Sequence, residues 1–315
     1  MSRRTLAHAS FGVNDRRERE GMASDSWKPR AERPMHERLK PVFKLVEAKR
    51  YREAKERVAD ILERDPEHKV ALSMLIMLHG RLGEIGYAEQ MFRDAVSTGI
   101  VTREIYGGMV DAYARCGMFD EARGTIAEAA GRGMDCVHNH SNLMSGLYAR
   151  GKYDEMVALY VDIPQKYRMT PSVTLKYAEA LRKLGHYERA IETAAVTVGM
   201  HATLDERTKA AMIMAYSEMC RGNPQKAYEM LDEVYGRVSQ RWDRGFNLRF
   251  FPRLLCGMVF ACSRGGIPQP ESTLRHWKGM LGSIKREGRG KNYDVINAIT
   301  QVDEIPVANA RQAVI

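Results

Sequence analysis

The sequence has no long apolar run and few cysteines. Its richest apolar stretch, residues 254–262, is far shorter than the 18 or more residues that a membrane-spanning helix needs. The 315-residue chain contains only five cysteines, an odd number, and none of them form a CxxC pair. Such a set does not indicate a disulfide framework, so it favours a reducing compartment.

The common catalytic sequence patterns are absent as well. There is no GxSxG, no HExxH and no GxGxxG following a predicted strand. Cys136, His138 and His140 alternate along the chain as metal ligands can, but no second ligand pair follows at zinc spacing. Hydrogen-bonded surface histidines are the preferred interpretation. The sequence therefore predicts a non-catalytic protein with no cofactor, no metal and no small-molecule substrate.

An internal repeat is the strongest pattern that the sequence does contain. A turn residue is followed two positions later by an apolar or aromatic residue, and three positions after that by a small one. The spacing between successive copies is 34, 34, 34, 34 and 37 residues, which indicates one recurring structural unit. The copies begin at Lys49, Gly83, Gly117, Gly151, Gly185 and Gly222.

Each copy predicts two helices, A and B, on either side of the turn residue. Apolar residues recur at helical spacing before the glycine, which ends helix A in the left-handed conformation. Pro41 falls inside the first helix A, which is expected to begin late or to kink. The three extra residues of the fifth unit, near positions 200–207, predict a longer loop. Helix B is expected to approach helix A closely at a small residue: Ala54, Ala88, Ala122, Ala190 or Ala227.

Residues 35–236 resemble the tetratricopeptide (TPR) and pentatricopeptide (PPR) helical-repeat families. The 34-residue period and Asp65-Pro66 at the end of the first unit are TPR-like, whereas the units from Gly99 to Met156 are more similar to PPR repeats. The resemblance implies an all-α fold, a right-handed α-solenoid of about six 34-residue helix-turn-helix repeats with a helical C-terminal cap. It also implies that the A helices line the concave side, which is the default binding surface.

Transferring the repeat frame gives a set of candidate groove residues. PPR proteins that read RNA by a code use a polar residue early in helix A, and only Asn142 fits that role, so base-by-base readout is not expected. Asn142 and Lys176 alone do not make the Lys-Asn-Asn-Lys-Arg set of TPR domains that hold a chaperone's carboxyl terminus. A solvated groove of incidental composition and a protein-binding groove both remain open. The candidate groove residues are His138, Asn142, Lys176, Arg182 and Lys209.

The net charge of +9 is unevenly distributed and divides the chain into four segments. Residues 1–34 carry 8 basic and 5 acidic side chains, and they are interpreted as a disordered tail or an organellar presequence because no acid precedes Asp15. The repeat array, 35–236, carries 28 and 29. Residues 237–291 carry 12 and 3, whereas residues 292–315, an expected C-terminal tail, carry 1 and 3.

The basic segment 237–291 interleaves arginines with aromatic residues before a helix predicted at 271–284. Arginine forks pair with phosphate, and both arginine and aromatic planes stack on unpaired bases, so such a patch is typical of nucleic-acid binding. Trp242, Phe246 and Phe250 also lie at the i, i+4, i+8 spacing of a core-facing helix, which is the preferred interpretation of the aromatics. The candidate phosphate-binding residues are Arg241, Arg244, Arg249, Arg253, Lys285, Arg286 and Arg289.

Two functional hypotheses follow. The first is a scaffold that binds RNA or a ribonucleoprotein through the basic C-terminal patch, similar to PPR-type proteins of mitochondrial RNA metabolism and mitochondrial ribosomes. It implies a mitochondrial location, with the cytoplasm as the alternative. The second is a TPR adaptor that holds a protein or peptide partner in its concave groove, with the basic end serving solubility.

Overall fold

The computed structural model describes residues 34–243, 250–286 and 293–308, with the side chains of 34–38, 240–243 and 293–294 left out. These parts of the chain are all-helical apart from one isolated parallel bridge between Gln269 and Val307. None of the helices in these ranges combines the length and the apolarity needed to span a bilayer.

Twelve of the helices form the six predicted A–B pairs. The A helices are α1 (Pro34–Glu47), α3 (Lys69–Arg81), α5 (Arg103–Cys116), α7 (Val137–Ala149), α10 (Pro171–Lys183) and α12 (Leu204–Cys220). The B helices are α2 (Tyr51–Arg64), α4 (Ile85–Ser97), α6 (Phe119–Gly131), α8 (Tyr153–Asp162), α11 (Tyr187–Val198) and α13 (Pro224–Asp243). The repeat interpretation and the α-solenoid are thereby confirmed.

The turn between helices A and B is left-handed in every pair, as predicted. Gly117, for example, has φ 84° and caps α5, with its N–H donating to the carbonyl of Tyr113. Lys49 holds the same conformation with φ 59°, the one positive φ of a non-glycine residue among those described. The turn geometry therefore belongs to the repeat itself and persists even where its preferred residue is missing.

The small residue of each B helix packs against its A helix, again as predicted. The five alanines of the pattern are all fully buried: Ala54, Ala88, Ala122, Ala190 and Ala227. The fourth unit carries Met156 at this position, and its side chain is also fully buried. Because an alanine adds only one carbon beyond the backbone, the two helices can approach closely.

Consecutive A helices pack directly on one another and form a continuous layer from α3 through α5, α7, α10 and α12. Glycines permit the short separations: a Cβ placed on Gly146 of α7 would lie 2.6 Å from the carbonyl oxygen of Ala114 on α5. The B helices contact mainly A helices. The A layer is therefore the inner layer, on which a groove forms.

One local expectation is decided for α1 and another is wrong for the fifth unit. Helix α1 begins at Pro34 and continues through Pro41, so of the two alternatives for this helix the late start is excluded. The extra residues of the fifth unit do not lengthen a loop, because the connection from Val198 to Leu204 is as short as those at 132–136 and 98–102. They lengthen the helix instead: α12 has 17 residues, against 13 in α10. A Thr203–Glu206 capping box fixes the start of this longer helix.

A short helix, α9 (Gln165–Arg168), lies in the connection between α8 and α10. The corresponding connections of the other described repeats have no such helix. The side chain of the neighbouring Ile163 is buried in the core of this part of the array.

The C-terminal region forms a cap of three helices, α14 (Phe251–Gly265), α15 (Glu271–Arg286) and α16 (Tyr293–Val302). Helix α15 matches the helix predicted at 271–284 and extends it to include Lys285 and Arg286. Helix α14 packs on α12 and α13, so the cap continues the A layer.

Residues 292–315 were expected to be a tail, but most of the described part of this segment, 293–308, is a helix that packs in the cap. Val295, Ala298 and Val302 of α16 are buried in one core cluster with residues of α14 and α15. Beyond the helix, Ala308 donates its N–H to the carbonyl of Gln269. The low charge of this segment reflects an apolar helix face and not a solvated tail.

Candidate binding groove

A cavity of about 460 Å³ lies on the inner layer and is bordered by five successive inner helices, α5, α7, α10, α12 and α14. We call it the groove cavity. Five cationic side chains line it, and Glu179 is the single carboxylate among the described residues that do so. Three aromatic rings also line it, from Tyr148, Tyr216 and Phe250. The five cations are Arg115, Lys176, Arg182, Lys209 and Arg253.

Glu179 and Arg182 form an ion pair in the wall of the groove cavity. Arg182 Nη2 donates to Glu179 Oε1 at 2.8 Å, and the hydroxyl of Tyr148, one repeat earlier, donates to the same oxygen at 3.1 Å. Burial opposes ionisation of Glu179, but the ion pair with Arg182, the nearby charge of Lys209 and the hydrogen bond from Tyr148 outweigh it, so the pKa of this carboxyl is lowered. Burial and the adjacent carboxylate raise the pKa of Tyr148 to about 12.

The guanidinium of Arg182 also lies 5.9 Å from the centre of the Tyr216 ring, and Tyr216 OH donates to the carbonyl of Arg253 at 3.4 Å. Arg182 is therefore oriented by Glu179 of its own helix α10 and by Tyr216 of α12, and Glu179 is in turn bonded to Tyr148 of α7. Arg182 neutralises the negative charge of Glu179, so the remaining cations of the described lining give the groove cavity a positive potential.

The structure brings three of the five predicted groove residues together. Lys176, Arg182 and Lys209 line the groove cavity, and Lys176 Nζ donates to Ser141 Oγ of the neighbouring helix at 2.6 Å. Asn142 does not line it, because its amide donates to the carbonyl of Gly107 at 3.2 Å and joins α7 to α5. His138 is exposed near the start of α7, away from the cavity.

The predicted phosphate-binding residues separate in space. Arg253 joins the groove cavity from α14, whereas Lys285 and Arg286 are exposed in the last turn of α15 and do not line it. The side chains of Arg241 and Trp242 and all of Arg244, Phe246, Arg249 and Arg289 lie outside the described residues. So does the segment 1–34, interpreted as a tail or presequence, except for the backbone of Pro34. Phe250 is the N-cap residue of α14 and is half-buried against the cap core.

Sequence reasoning missed Arg115 because the transferred repeat frame did not include the position two residues before the turn glycine. A signal was present: Arg81 and Arg115 occupy this position in consecutive repeats, 34 residues apart. Recurrence at the repeat spacing would have identified the pair.

The two histidines considered as metal ligands have different environments. His140 is buried, not on the surface as expected, and its Nε2 lies 3.2 Å from Asp135 Oδ2. Cys136 Sγ donates to Asn139 Oδ1 at 3.4 Å. No group of three or more His, Cys, Asp or Glu side chains is placed to hold a metal within the described ranges.

Comparison with known proteins supports the repeat interpretation at one pair of helices. The family model of the PPR repeat matches residues 104–134, which correspond to α5 and α6. No curated protein matches the sequence.

Solved structures with a similar helical arrangement include three TPR proteins. One from Parabacteroides merdae has 12% identity, covers 85% of this chain and 98% of its own, and gives a TM-score of 0.46. TTC0263 from Thermus thermophilus has 16% identity, covers 71% and 98%, and gives a TM-score of 0.40. YrrB, described as a TPR protein with an unusual peptide-binding site, has 16% identity, covers 57% and 91%, and gives a TM-score of 0.37.

Proposed function

We propose that this chain, a helical-repeat protein of the TPR/PPR class, is a non-catalytic scaffold that binds RNA or a ribonucleoprotein. The observation that carries the proposal is that one residue of the predicted basic segment joins the cations of the repeat groove. Arg253 of the C-terminal region lies in the same cavity as Lys176 and Lys209 of the repeats. The repeats and the first helix of the C-terminal region therefore contribute to one anion-binding surface, which Lys285 and Arg286 do not line.

The chemistry of the groove cavity suits a single-stranded nucleic acid. Guanidinium groups pair with phosphate oxygens in a fork geometry, and ammonium groups add a positive potential. Tyr216 and Phe250 present aromatic rings in the same cavity, and such rings stack on unpaired bases whatever their identity. The absence of a regular set of polar residues at the code positions favours binding with little sequence preference.

The proposal is tested by fluorescence anisotropy with a labelled single-stranded RNA at several salt concentrations. We expect the triple variant Lys176→Ala/Lys209→Ala/Arg253→Ala to bind more weakly and to lower the slope of log affinity against log salt by about 2, roughly 0.7 for each phosphate that is no longer neutralised. The matched control removes three arginines that are exposed on the outer helix α2, Arg52, Arg57 and Arg64. Equal affinity and slope in both triple variants would contradict the proposal.

A peptide-binding adaptor is the second candidate. Met212 and Ile213 give the groove cavity an apolar floor beside its cations, which would suit an acidic peptide with an apolar side chain. Affinity purification with and without nuclease separates the candidates. A partner protein that persists after nuclease treatment and no longer co-purifies with the Lys176→Ala/Lys209→Ala variant would favour the adaptor.

We also propose a mitochondrial location, supported by the basic, acid-poor composition of the first 14 residues. Fluorescence microscopy of the chain with a C-terminal fluorescent protein tests it. Diffuse cytoplasmic fluorescence, unchanged when residues 1–33 are deleted, would contradict it.

A further inference from the structure

The B helices of the third and fourth repeats share one exposed pattern, an acidic residue at each end with small or apolar residues between. On α8 the pattern has the i, i+4, i+7, i+8 spacing of a single helix face, and its exposed members are Asp154, Ala158, Val161 and Asp162. The same positions of α6, 34 residues earlier, are also exposed and hold Asp120, Gly124, Ala127 and Glu128. We call these eight residues the acidic face.

The chain itself neutralises little of the acidic face. Helix α8 contains three carboxylates and no basic residue. Within the described ranges, no cation lies at ion-pair distance from Asp154 or Asp162. Arg123 of α6 pairs with Asp120 at 2.9 Å and also lies 3.7 Å from Glu155, so it holds the two helices side by side. Val161 is 67% exposed, so the face offers an apolar contact as well as negative charge.

The acidic face belongs to a negatively charged outer layer. The six B helices carry 10 basic and 18 acidic side chains, a net charge of −8, whereas the six A helices carry 12 and 8. A surface of this sign repels nucleic acid and attracts a basic surface. The occupant that suits it is therefore a basic protein element.

Helix α15 of the cap presents a face of the complementary kind. Arg275, Gly279, Gly282 and Arg286 follow one another at i, i+4, i+7 and i+11, so an arginine stands at each end with glycines between. The opposite side of α15 is buried in the cap core. We call these four residues the basic face. Helix α15 as a whole carries four Lys or Arg side chains and one carboxylate.

The arginines of the basic face are available to a partner. The side chain of Arg275 is 77% exposed and donates to Glu271 Oε1 at 2.7 Å, an exposed pair one helical turn apart. Such pairs contribute little free energy, so exchange for another carboxylate costs little. Arg286 is exposed in the last turn and donates only to Ser283 Oγ of its own helix among the described residues.

Packing within the chain does not require the glycines of either face. A Cβ placed on Gly124 or Gly279 would meet nothing within 4 Å, and one on Gly282 would meet only Arg286 Nη1 of the same helix at 3.9 Å. Each glycine costs its helix about 1 kcal/mol relative to alanine. Glycine permits close approach of another surface to the backbone, which is the space that a docked helix would use.

We propose that the basic face of one copy of this chain docks on the acidic face of a second copy. The carboxylates of α8 are separated by a rise of about 12 Å and the arginines of α15 by about 16 Å, a difference that extended arginine side chains cover. Whichever way α15 runs along α8, one arginine lies near each acidic end. The glycines of α15 leave room for Val161 between them.

The two faces are different surfaces, so the contact between copies is heterologous. Each copy has one face of each kind and binds two neighbours, which gives an open chain of copies unless the rotation closes a ring. Neither face includes a residue that lines the groove cavity. This inference therefore goes beyond the proposed function and does not depend on it, and it gives a role to Arg286, which the groove cavity does not use.

Sedimentation velocity of the nuclease-treated full chain, over a concentration series, tests the proposal. We expect the average sedimentation coefficient to rise with concentration in about 0.05 M salt and to stay constant in about 0.5 M salt, where exposed charges are screened. Reversal of either face, by Asp154→Lys/Asp162→Lys or by Arg275→Glu/Arg286→Glu, should weaken association about tenfold or more. The matched controls reverse exposed charges of α2, in Glu56→Lys/Glu63→Lys and Arg52→Glu/Arg64→Glu, and should associate as the wild type does.

Mixing the two reversed variants tests the pairing of the faces directly. Each variant alone should be monomeric, but a mixture should form a complex, because one variant keeps a native basic face and the other a native acidic face. Gly279→Gln gives a readout that does not depend on charge. It should raise the melting temperature, since it removes a helix glycine, and yet weaken association, because its side chain fills the space for the partner.

The contrary outcomes are equally specific. A wild-type chain that stays monomeric at low salt at every concentration would refute the proposal, and so would reversed variants that associate as strongly as the wild type. Failure of the two reversed variants to combine on mixing would refute the pairing of these two faces. Association that is present before nuclease treatment and absent after it would show that RNA, and not the contact between α15 and α8, joins the copies.

Discussion

Lys49 has a left-handed backbone conformation, which is unfavourable for any residue that carries a Cβ atom. Its φ of 59° repeats the left-handed turn that glycine supplies in the other units. Replacing Lys49 with glycine removes a steric cost of roughly 1–2 kcal/mol, partly offset by the greater entropy of glycine in the unfolded chain. We expect Lys49→Gly to raise the free energy of unfolding by about 1 kcal/mol, measured by urea denaturation. Lys44→Gly, in the last turn of α1, is the control and should lower it.

Gly146 is required for a different reason, the close approach of α7 to α5. A Cβ at this position would lie 2.6 Å from the Ala114 carbonyl oxygen, so the helices would have to move apart. We expect Gly146→Ala to destabilise the protein by about 1–3 kcal/mol. Gly124 lies in the middle of α6 with open space around it, so Gly124→Ala should instead stabilise by about 0.5–1 kcal/mol. Similar melting temperatures for the two variants would contradict the close packing of α7 on α5 as the reason for this glycine.

Single residues also mark where sequence reasoning succeeds and where it fails. The turn glycines and packing alanines are predictable because each has one local cause that recurs every 34 residues. The positions of Asn142 and Arg115 do not have a local cause, since Asn142 bonds to the backbone of the preceding inner helix and the side chain of Arg115 lines two separate cavities. Which side chains face the cavity depends on how neighbouring repeats pack, and a repeat frame alone does not contain that information.

At the scale of elements, one buried carboxylate fixes the connection between α12 and α13. Glu218 accepts hydrogen bonds from Lys226 Nζ at 2.6 Å and Asn223 Nδ2 at 2.8 Å. Burial opposes ionisation, but these bonds prevail, and the pKa of Glu218 falls below its ordinary value of 4.5. Because the folded-state pKa is the lower one, the stabilisation is complete above pH 4.5 and is lost as the pH falls towards the folded value.

We therefore expect Glu218→Gln to lower the free energy of unfolding by about 1–2 kcal/mol at neutral pH. The difference from the wild type should shrink on acidification below pH 4.5, because protonation removes the same charge from the wild type. Urea denaturation at a series of pH values measures it. Glu233→Gln on the exposed face of α13 is the control, and a pH-independent difference for Glu218→Gln would contradict this account.

Helix α16 contributes to the core of the cap, which was not predicted from the sequence. The segment 292–315 was expected to be a tail, yet Val295, Ala298 and Val302 are buried against α14 and α15. Truncation after residue 292 should therefore lower the midpoint of thermal unfolding by several degrees and expose apolar surface to the dye ANS. Truncation after residue 308 is the control. A truncated chain that melts like the full one would show that α16 does not complete the cap.

At the scale of the whole molecule, the core is divided along the chain. The largest cluster joins α12 to α16 and contains 24 buried residues of the described ranges, whereas the cluster at α1–α3 contains 8. Since each repeat contacts only its neighbours, stability is the sum of local terms, and the thinner N-terminal end should open first.

Hydrogen–deuterium exchange with mass spectrometry measures this order directly. We expect peptides from α1 and α2 to exchange well before those from α14 and α15. A change in one cluster should act locally: Val58→Ala should speed exchange in α1–α3 and leave the cap unchanged, and Leu281→Ala should do the reverse. The two variants are matched controls for each other. If either one accelerated exchange equally from α1 to α16, the array would unfold as a single cooperative unit, and its stability would not be a sum of local terms.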